Sequence, residues 1–163
     1  MYGFKRILVP SDFSECSVKA LGSAITLAVG LDAELFLLYV EAGAVGSKVW
    51  ASNEATRAEL DMLEGDEKRL FEEYLKASRT VEEHSGKPPI PRARLHVRVA
   101  SGEISAEILK AATDAQIDLI VMGTHGRTSM KDYFVGSTTE RVVERATCSV
   151  LTVKPDGYPY LRD

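Results

Sequence analysis

The sequence predicts an α/β fold: a doubly wound, five-stranded parallel sheet of order 3-2-1-4-5, with helices on both faces. Short apolar runs alternate with helix-period segments in the order β-α-β-α-β-α-β-α-β. Most of these runs are apolar throughout, the mark of strands covered on both sides. Right-handed crossovers between such strands place helices above and below the sheet. The 163 residues suit one domain with one sizeable core, expected over 1–163 with its body at about 4–154 and a short polar tail.

Phe4 to Pro10 is a β-branched-rich run ending in Pro-Ser-Asp and reads as the first strand. From Ser14 to Val29 the residues Val18, Leu21, Ile25 and Ala28 recur at helical spacing, with Ser14 as N-cap and Gly30 as terminator. Ala33 to Val40 is the second strand. Residues from about Asn53 to His84 carry Leu60, Leu63, Leu70, Phe71, Tyr74 and Leu75 on a helical stripe interrupted by Gly65, and predict a long, kinked or divided helix. Ser85 to Pro91 cannot continue it. Arg94 to Val99 alternates polar and apolar like a half-exposed edge strand. A helix from Ile104 to Ala115, a strand from Ile117 to Met122, a helix from Ser137 to about Ala146 and a strand from Ser149 to Val153 complete the order.

Composition narrows the function classes. A net charge of -4, with 45% hydrophobic and 27% charged residues, is ordinary for a globular protein and argues against general affinity for nucleic acid or an anionic membrane. The apolar run near the N-terminus is too short for a signal core or a membrane span, so the cytoplasm is the expected compartment. The two cysteines, Cys16 and Cys148, lack metal or CxxC spacing and read as small buried thiols. His84, His96 and His125 are scattered, and neither a Walker motif nor GxGxxG after a strand occurs.

The fourth strand runs into Gly123-Thr124-His125-Gly126-Arg127 and ends at Gly136-Ser137-Thr138, a G-x2-G-x9-G-S string. Its length exceeds the usual strand-to-helix loop, and long loops in compact domains tend to be functional. Gly123 and Gly126 offer backbone conformations closed to other residues and let a ligand approach the main chain. Gly136-Ser137-Thr138 opens a helix whose leading N–H groups suit an anion, so phosphates and a nucleotide are the natural occupants. Ser137 and Thr138 can donate hydroxyls to phosphate or simply cap the helix. Arg127 and His125 can add charge, Arg127 being the stronger candidate; as lone residues they are more often solvated. Tyr133 and Phe134 are expected to anchor the loop, with Lys131 and Asp132 exposed. In the order 3-2-1-4-5 strands one and four flank the reversal of winding, where ligands bind. Asp12 would then face the glycine loop, as an acceptor for ribose hydroxyls or as a plain turn residue. Val40 ends the second strand, where its backbone can meet a purine edge.

Ile7-Leu8-Val9-Pro10-Ser11-Asp12-Phe13-Ser14, with Gly123-Thr124-His125-Gly126-Arg127 and Gly136-Ser137, resembles the ATP-binding branch of the universal stress protein family. The resemblance runs from Phe4 to Lys154. It implies a Rossmann-like fold that binds ATP, or AMP or ADP, with Mg2+ or Mn2+ held mainly by the phosphates rather than by protein ligands. It also implies homodimerisation and a regulatory role in stress survival through a protein partner. Asp12 and Val40 would meet the adenosine, with Pro10 and Ser11 beside them. Met122, Gly123, Gly126, Gly136, Ser137 and Thr138 would surround ribose and phosphates. Two departures stand out: Ser149 replaces a proline common in the family, and the segment from Glu41 to Thr56 supports no transferred contact. An exposed Val150 to Val153 edge invites pairing with a second copy. The alternatives are a slow ATPase or autophosphorylating enzyme, for which no general base is evident, and a non-nucleotide interaction module, which the intact glycine motif disfavours.

Overall fold

Alternation along each strand decides how this chain layers. The computed structural model describes residues 3–43, 65–126 and 135–157, with the side chain of Arg92 excepted. Its elements are β1 (Arg6–Ser11), α1 (Glu15–Leu31), β2 (Glu34–Ala42), α2 (Gly65–Ser85), a 3-10 turn (Arg92–Arg94), β3 (Leu95–Gly102), α3 (Ile104–Asp114), β4 (Leu119–Gly123), α4 (Ser137–Arg145) and β5 (Ser149–Val153). The strands form one parallel sheet of order β3-β2-β1-β4-β5, as the sequence predicts. Because successive side chains face opposite ways, Ile7, Val9, Leu35, Leu37 and Val121 pack with α1 and α2. Leu8, Phe36, Leu38, Ile120 and Met122 pack with α3 and α4. Full burial of each such aliphatic side chain contributes roughly 1.5–3 kcal/mol, which fixes register on both faces at once.

Strand lengths shape the upper edge of the sheet. The β1–β4 register covers Ile7↔Leu119 and Leu8↔Ile120, beyond which the strands part. Pro10 suits this divergence. Asp118 N donates to Arg6 O on the β4 side, so the two-residue period turns Pro10, which has no N–H, toward the same widening gap. β1 pairs with β2 only as far as Ser11↔Tyr39, whereas β2 continues against β3 to Ala42↔Gly102. Val40, Glu41 and Ala42 therefore stand beyond the end of β1. At the opposite edge Asp118 accepts the Lys5 amide at 2.8 Å and the Arg6 amide at 3.1 Å, tying the start of β1 to the entry of β4.

Two expectations change. Helix α1 begins at the predicted N-cap, with Ser17 N donating to Ser14 Oγ at 3.2 Å. It does not stop at Gly30. It ends on Asp32, which takes the left-handed conformation at φ 55° and donates its amide to Ala28 O. Asp tolerates this region better than most side chains, and Arg94 pairs with its carboxylate. The long helix is described from Gly65 onward, Gly65 itself lying at φ 60°; the expected Asn53 to Glu64 portion lies outside the described residues.

The second change concerns β3. It is an edge strand, as predicted, but its residues from Leu95 to Ala100 are buried rather than half-exposed. His96 is 7% exposed and Arg98 is 6% exposed. Polar alternation misled because α3 covers this face, and His96 is accommodated by partners: its ring stacks on Phe36 at 4.1 Å and Nε2 meets Glu34 Oε2 at 2.7 Å. Glu34 also pairs with Arg6 at 3.5 Å. Among the described residues no helix is long and apolar enough to cross a membrane.

Burial pushes the His96 pKa below its ordinary 6.5, against the pull of Glu34, with Arg6 adding to the lowering. The unfolded chain thus takes up the proton first, and stability falls as pH drops from about 6.5 through the lower folded value. Urea midpoints measured at pH 7.5 and pH 5 should drop further for the parent protein than for His96→Gln. Equal drops would show that His96 is not kept neutral by the fold.

Candidate functional site

The parting of β1 from β4 and the overhang of β2 open onto a cavity of about 340 Å3 at the carboxyl ends of the strands, within the usual range for small-molecule sites. Four groups of residues line it. Pro10, Ser11 and Asp12 come from the end of β1 and the turn after it; Tyr39, Val40 and Ala42 come from the β2 overhang. Ile104, Ile108 and Met122 supply apolar wall, and Gly123, His125 and Gly126 lead out of β4 toward Gly136 to Thr139 at the start of α4. All the candidate residues from Pro10 to Thr138 named from the sequence meet here except Arg127, which lies outside the described residues, as do Lys131, Asp132, Tyr133 and Phe134.

The glycines serve close approach rather than unusual dihedrals. Neither Gly123 nor Gly126 has positive φ, and Gly136 sits at φ -60°, so the expectation of conformations closed to other residues is corrected. A Cβ on Gly123 would lie 2.6 Å from Cys16 Sγ and 3.2 Å from the Cys16 carbonyl carbon. The end of β4 is pressed onto the first turn of α1, and Cys16 Sγ continues the contact with 3.3 Å to Val153 O. A Cβ on Gly126 would lie 2.7 Å from Asp12 Oδ2. There the obstacle is a side-chain carboxylate, which can turn away, so the two glycines are constrained in different ways.

Asp12 takes the turn role, and its second oxygen faces the glycine loop as the strand order predicts. Its Oδ1 accepts the Ser14 amide at 3.0 Å, an Asx turn that shapes the entry to α1, while Oδ2 faces Gly126 across the crevice. Ser14 then caps α1 itself. The loop after β4 is closed at its base: Gly136 N donates to Thr124 O at 2.7 Å, and Thr124 N donates to Val153 O at 3.0 Å. Thr139 Oγ1 donates to Gly123 O at 2.8 Å, locking α4 to the end of β4.

Helix α4 presents an uncapped start to the cavity. Its N-cap is Gly136, with no side-chain hydrogen bond, and its first intrahelical bond runs from Glu140 N to Gly136 O at 3.0 Å. The amides of Ser137, Thr138 and Thr139 precede that ladder, at the positive end of the helix dipole. Neither Ser137 nor Thr138 acts as the cap, which removes the plainer of their two readings. His125 is buried, not solvated as expected, with Nδ1 2.7 Å from Thr124 Oγ1. Among the described residues no cluster of three His, Cys, Asp or Glu is arranged to hold a metal ion.

Sequence reasoning missed Tyr39, Ala42, Ile104, Ile108, Ser17 and Thr139. Ile104 and Ile108 are spaced to share one face of α3, a signal present in the sequence whose direction depends on how α3 docks. Thr139 gave no signal, since a threonine two residues inside a helix reads as neutral.

Known proteins resemble this chain over nearly its whole length. A family model described as the universal stress protein family matches residues 3–154. The universal stress protein MJ0531 of Methanocaldococcus jannaschii is 35% identical over 153 residues, spanning 93% of this chain and 82% of that one. Universal stress protein YxiE of Bacillus subtilis is 31% identical across 93% of this chain and 99% of its own. The solved structure of universal stress protein UspA from Lactobacillus plantarum superposes with a TM-score of 0.63 at 26% identity, over 94% of this chain and 99% of that one.

Substituting Gly123 should therefore act on stability. Gly123→Ala forces a Cβ against Cys16 and should destabilise the fold by about 1–3 kcal/mol, the usual cost of overpacking. Cys16→Ala in the same chain removes the Sγ clash and should recover part of that loss in a denaturant titration. A neutral Gly123→Ala would show that β4 and α1 are not in close contact.

Proposed function

We propose, from the premise that this chain belongs to the universal stress protein family, that it is an ATP-binding regulatory protein whose bound nucleotide biases its conformation or its choice of protein partner in a stress response. The observation that carries this reading is the meeting, in one cavity, of an uncapped helix N-terminus with a carboxylate and a strand end left open on its β1 side. Each answers a different part of a nucleotide. Phosphates are anions, and the leading amides of α4 offer donors and a favourable dipole. Ribose hydroxyls are donors and suit Asp12. The purine is flat and apolar on its faces, matching Ile104, Ile108 and Met122, with the backbone of Val40 at its edge where β2 outruns β1.

The binding set is thus Pro10, Ser11, Asp12 and Val40 around adenosine, with Met122, Gly123, Gly126, Arg127, Gly136, Ser137 and Thr138 around ribose and phosphates. AMP or ADP fits the same end of the site. The described lining holds His125 as its one basic side chain, which leaves much of the phosphate charge to Arg127, the helix and a divalent ion. Mg2+ or Mn2+ would be held chiefly by phosphate oxygens. A universal stress protein solved in complex with cAMP has this fold, with a TM-score of 0.60 at 18% identity over 93% of this chain and 98% of that one, and that supports a nucleotide as the class of ligand.

Calorimetric titration with ATP and Mg2+, with mass spectrometry of the recovered nucleotide, tests the reading. Intact ATP should be bound and recovered. Its conversion to ADP would promote the slow-ATPase alternative, and absence of binding would leave an interaction module. Gly126→Val should abolish ATP binding while leaving the denaturation midpoint nearly unchanged, because among the described residues a Cβ at this position meets the Asp12 carboxylate rather than backbone. Full ATP affinity in that variant would rule out the assigned site.

The second part of the proposal is a homodimer through β5. This strand is a sheet edge, and Leu151 is 40% exposed on it, with Val143 of α4 53% exposed nearby in sequence. Val153 O accepts from Thr124 on the β4 side, so the N–H of Thr152 points outward, toward a second copy. Thr152→Pro removes that outward donor without breaking the β4 ladder. Sedimentation analysis should show a dimer for the parent chain and a shift to monomer for Thr152→Pro; an unchanged species would place the contact elsewhere.

A further inference from the structure

Helix α2 touches the site without lining it. Arg69 and Glu73 are four residues apart, a spacing that puts both on one face of the helix. Ser11 Oγ donates to Glu73 Oε2 at 3.1 Å, and the Arg69 guanidinium lies 3.8 Å from the centroid of the Phe13 ring. Ser11 and Phe13 are the two neighbours of Asp12.

The turn they form needs such support. Phe13 sits at φ 62°, a region that a bulky side chain enters only at a cost, so surrounding contacts must hold it there. The Phe13 amide donates to Ser11 Oγ at 3.1 Å, and Ser11 Oγ lies 3.2 Å from Ser17 Oγ. The Phe13 ring meets Tyr39 with centroids 4.9 Å apart. One hydroxyl thus links the main chain after Asp12 to a carboxylate on α2, and one ring links the same turn to a guanidinium on the same helix. The orientation of Asp12 follows from the orientation of this turn.

Resting on the nucleotide reading above, we infer that Glu73, assisted by Arg69, is a positioning residue for ribose recognition. It fixes the Ser11 hydroxyl, which fixes the Ser11–Phe13 turn, which aims the Asp12 carboxylate at the ribose hydroxyls. Loss of Glu73 leaves the phosphate end intact and blurs the ribose end. ATP, which offers both hydroxyls, is then weakened more than its deoxy analogues.

The experiment is calorimetry of the full chain with the Mg2+ complexes of ATP, 2′-deoxyATP and 3′-deoxyATP, with thermal unfolding recorded for every variant. The parent protein should prefer ATP to at least one analogue. Glu73→Ala should weaken ATP about fivefold, the value of one net hydrogen bond, and weaken the disfavoured analogue less, so the preference narrows. Glu73→Gln keeps an acceptor oxygen and should retain most of the preference. In a Ser11→Ala background Glu73→Ala should have little further effect, because its route is already cut. Arg69→Ala releases Phe13 by the other contact and should narrow the preference as well, which keeps the inference testable should Glu73→Ala unfold. Equal weakening of all three ligands, unchanged affinities, or a parent protein that binds ATP and both analogues alike would overturn the role of Glu73 while sparing the nucleotide site. Failure of the parent protein to bind any of them would remove both.

Discussion

The close approach of β4 to the first turn of α1 sets the geometry on which the site depends. It exists because residue 123 has no Cβ to meet Cys16. With β4 seated there, Gly126 reaches the Asp12 carboxylate, and the Gly123 carbonyl is available to Thr139, which docks α4. The bond from Gly136 N to Thr124 O then brings the two ends of the glycine loop together. A single steric allowance thereby assembles three elements that are distant in sequence. The apolar faces beneath hold the strands in register, and the crevice forms where the register runs out.

The site joins two kinds of physical preference. One end is electrostatic: leading helix amides at the positive end of α4, in a cavity low in fixed positive charge among its described residues. The other end is a matter of shape and hydrogen-bonding direction, set by β2 overhanging β1 and by the turn that carries Asp12. In the proposed reading, one molecule carrying phosphate and a sugar-linked base satisfies both. Affinity for phosphate alone would use half of what is built. Helix α2 extends this site outward, since the turn at Asp12 is braced from its surface, and a change at that helix has a short route to the ligand.

Much of this was legible before the structure. Apolar runs of Ile7 to Val9, Leu35 to Val40 and Leu119 to Met122 marked buried parallel strands because nothing but two-sided coverage explains them, and their alternation with helices fixed the layering. Pro10-Ser11-Asp12 and the three spaced glycines pointed to facing loops once the strand order was set. What failed was local. Gly30 looked like a helix terminator, but the helix stops where Asp32 can take a left-handed conformation beside Arg94. His96 and Arg98 looked exposed because polarity in a strand is read as solvent contact, whereas Glu34 and Phe36 make His96 a buried partner. The glycines were read through dihedral freedom, and their actual constraint is distance to Cys16 and Asp12. Distances between remote residues are not encoded in any window of sequence, which is also why Thr139 and Glu73 gave no sign.

In the proposed binding mode phosphates sit on the leading amides of α4 while the sugar faces Asp12. Amide-resolved NMR titration with ATP and Mg2+ tests it most directly. The largest shifts should fall at Ser137, Thr138 and Thr139, with a second group at Asp12, Phe13 and Gly126, and a titration with inorganic triphosphate should reproduce the first group alone. Binding accompanied by shifts elsewhere, with the start of α4 unmoved, would contradict it.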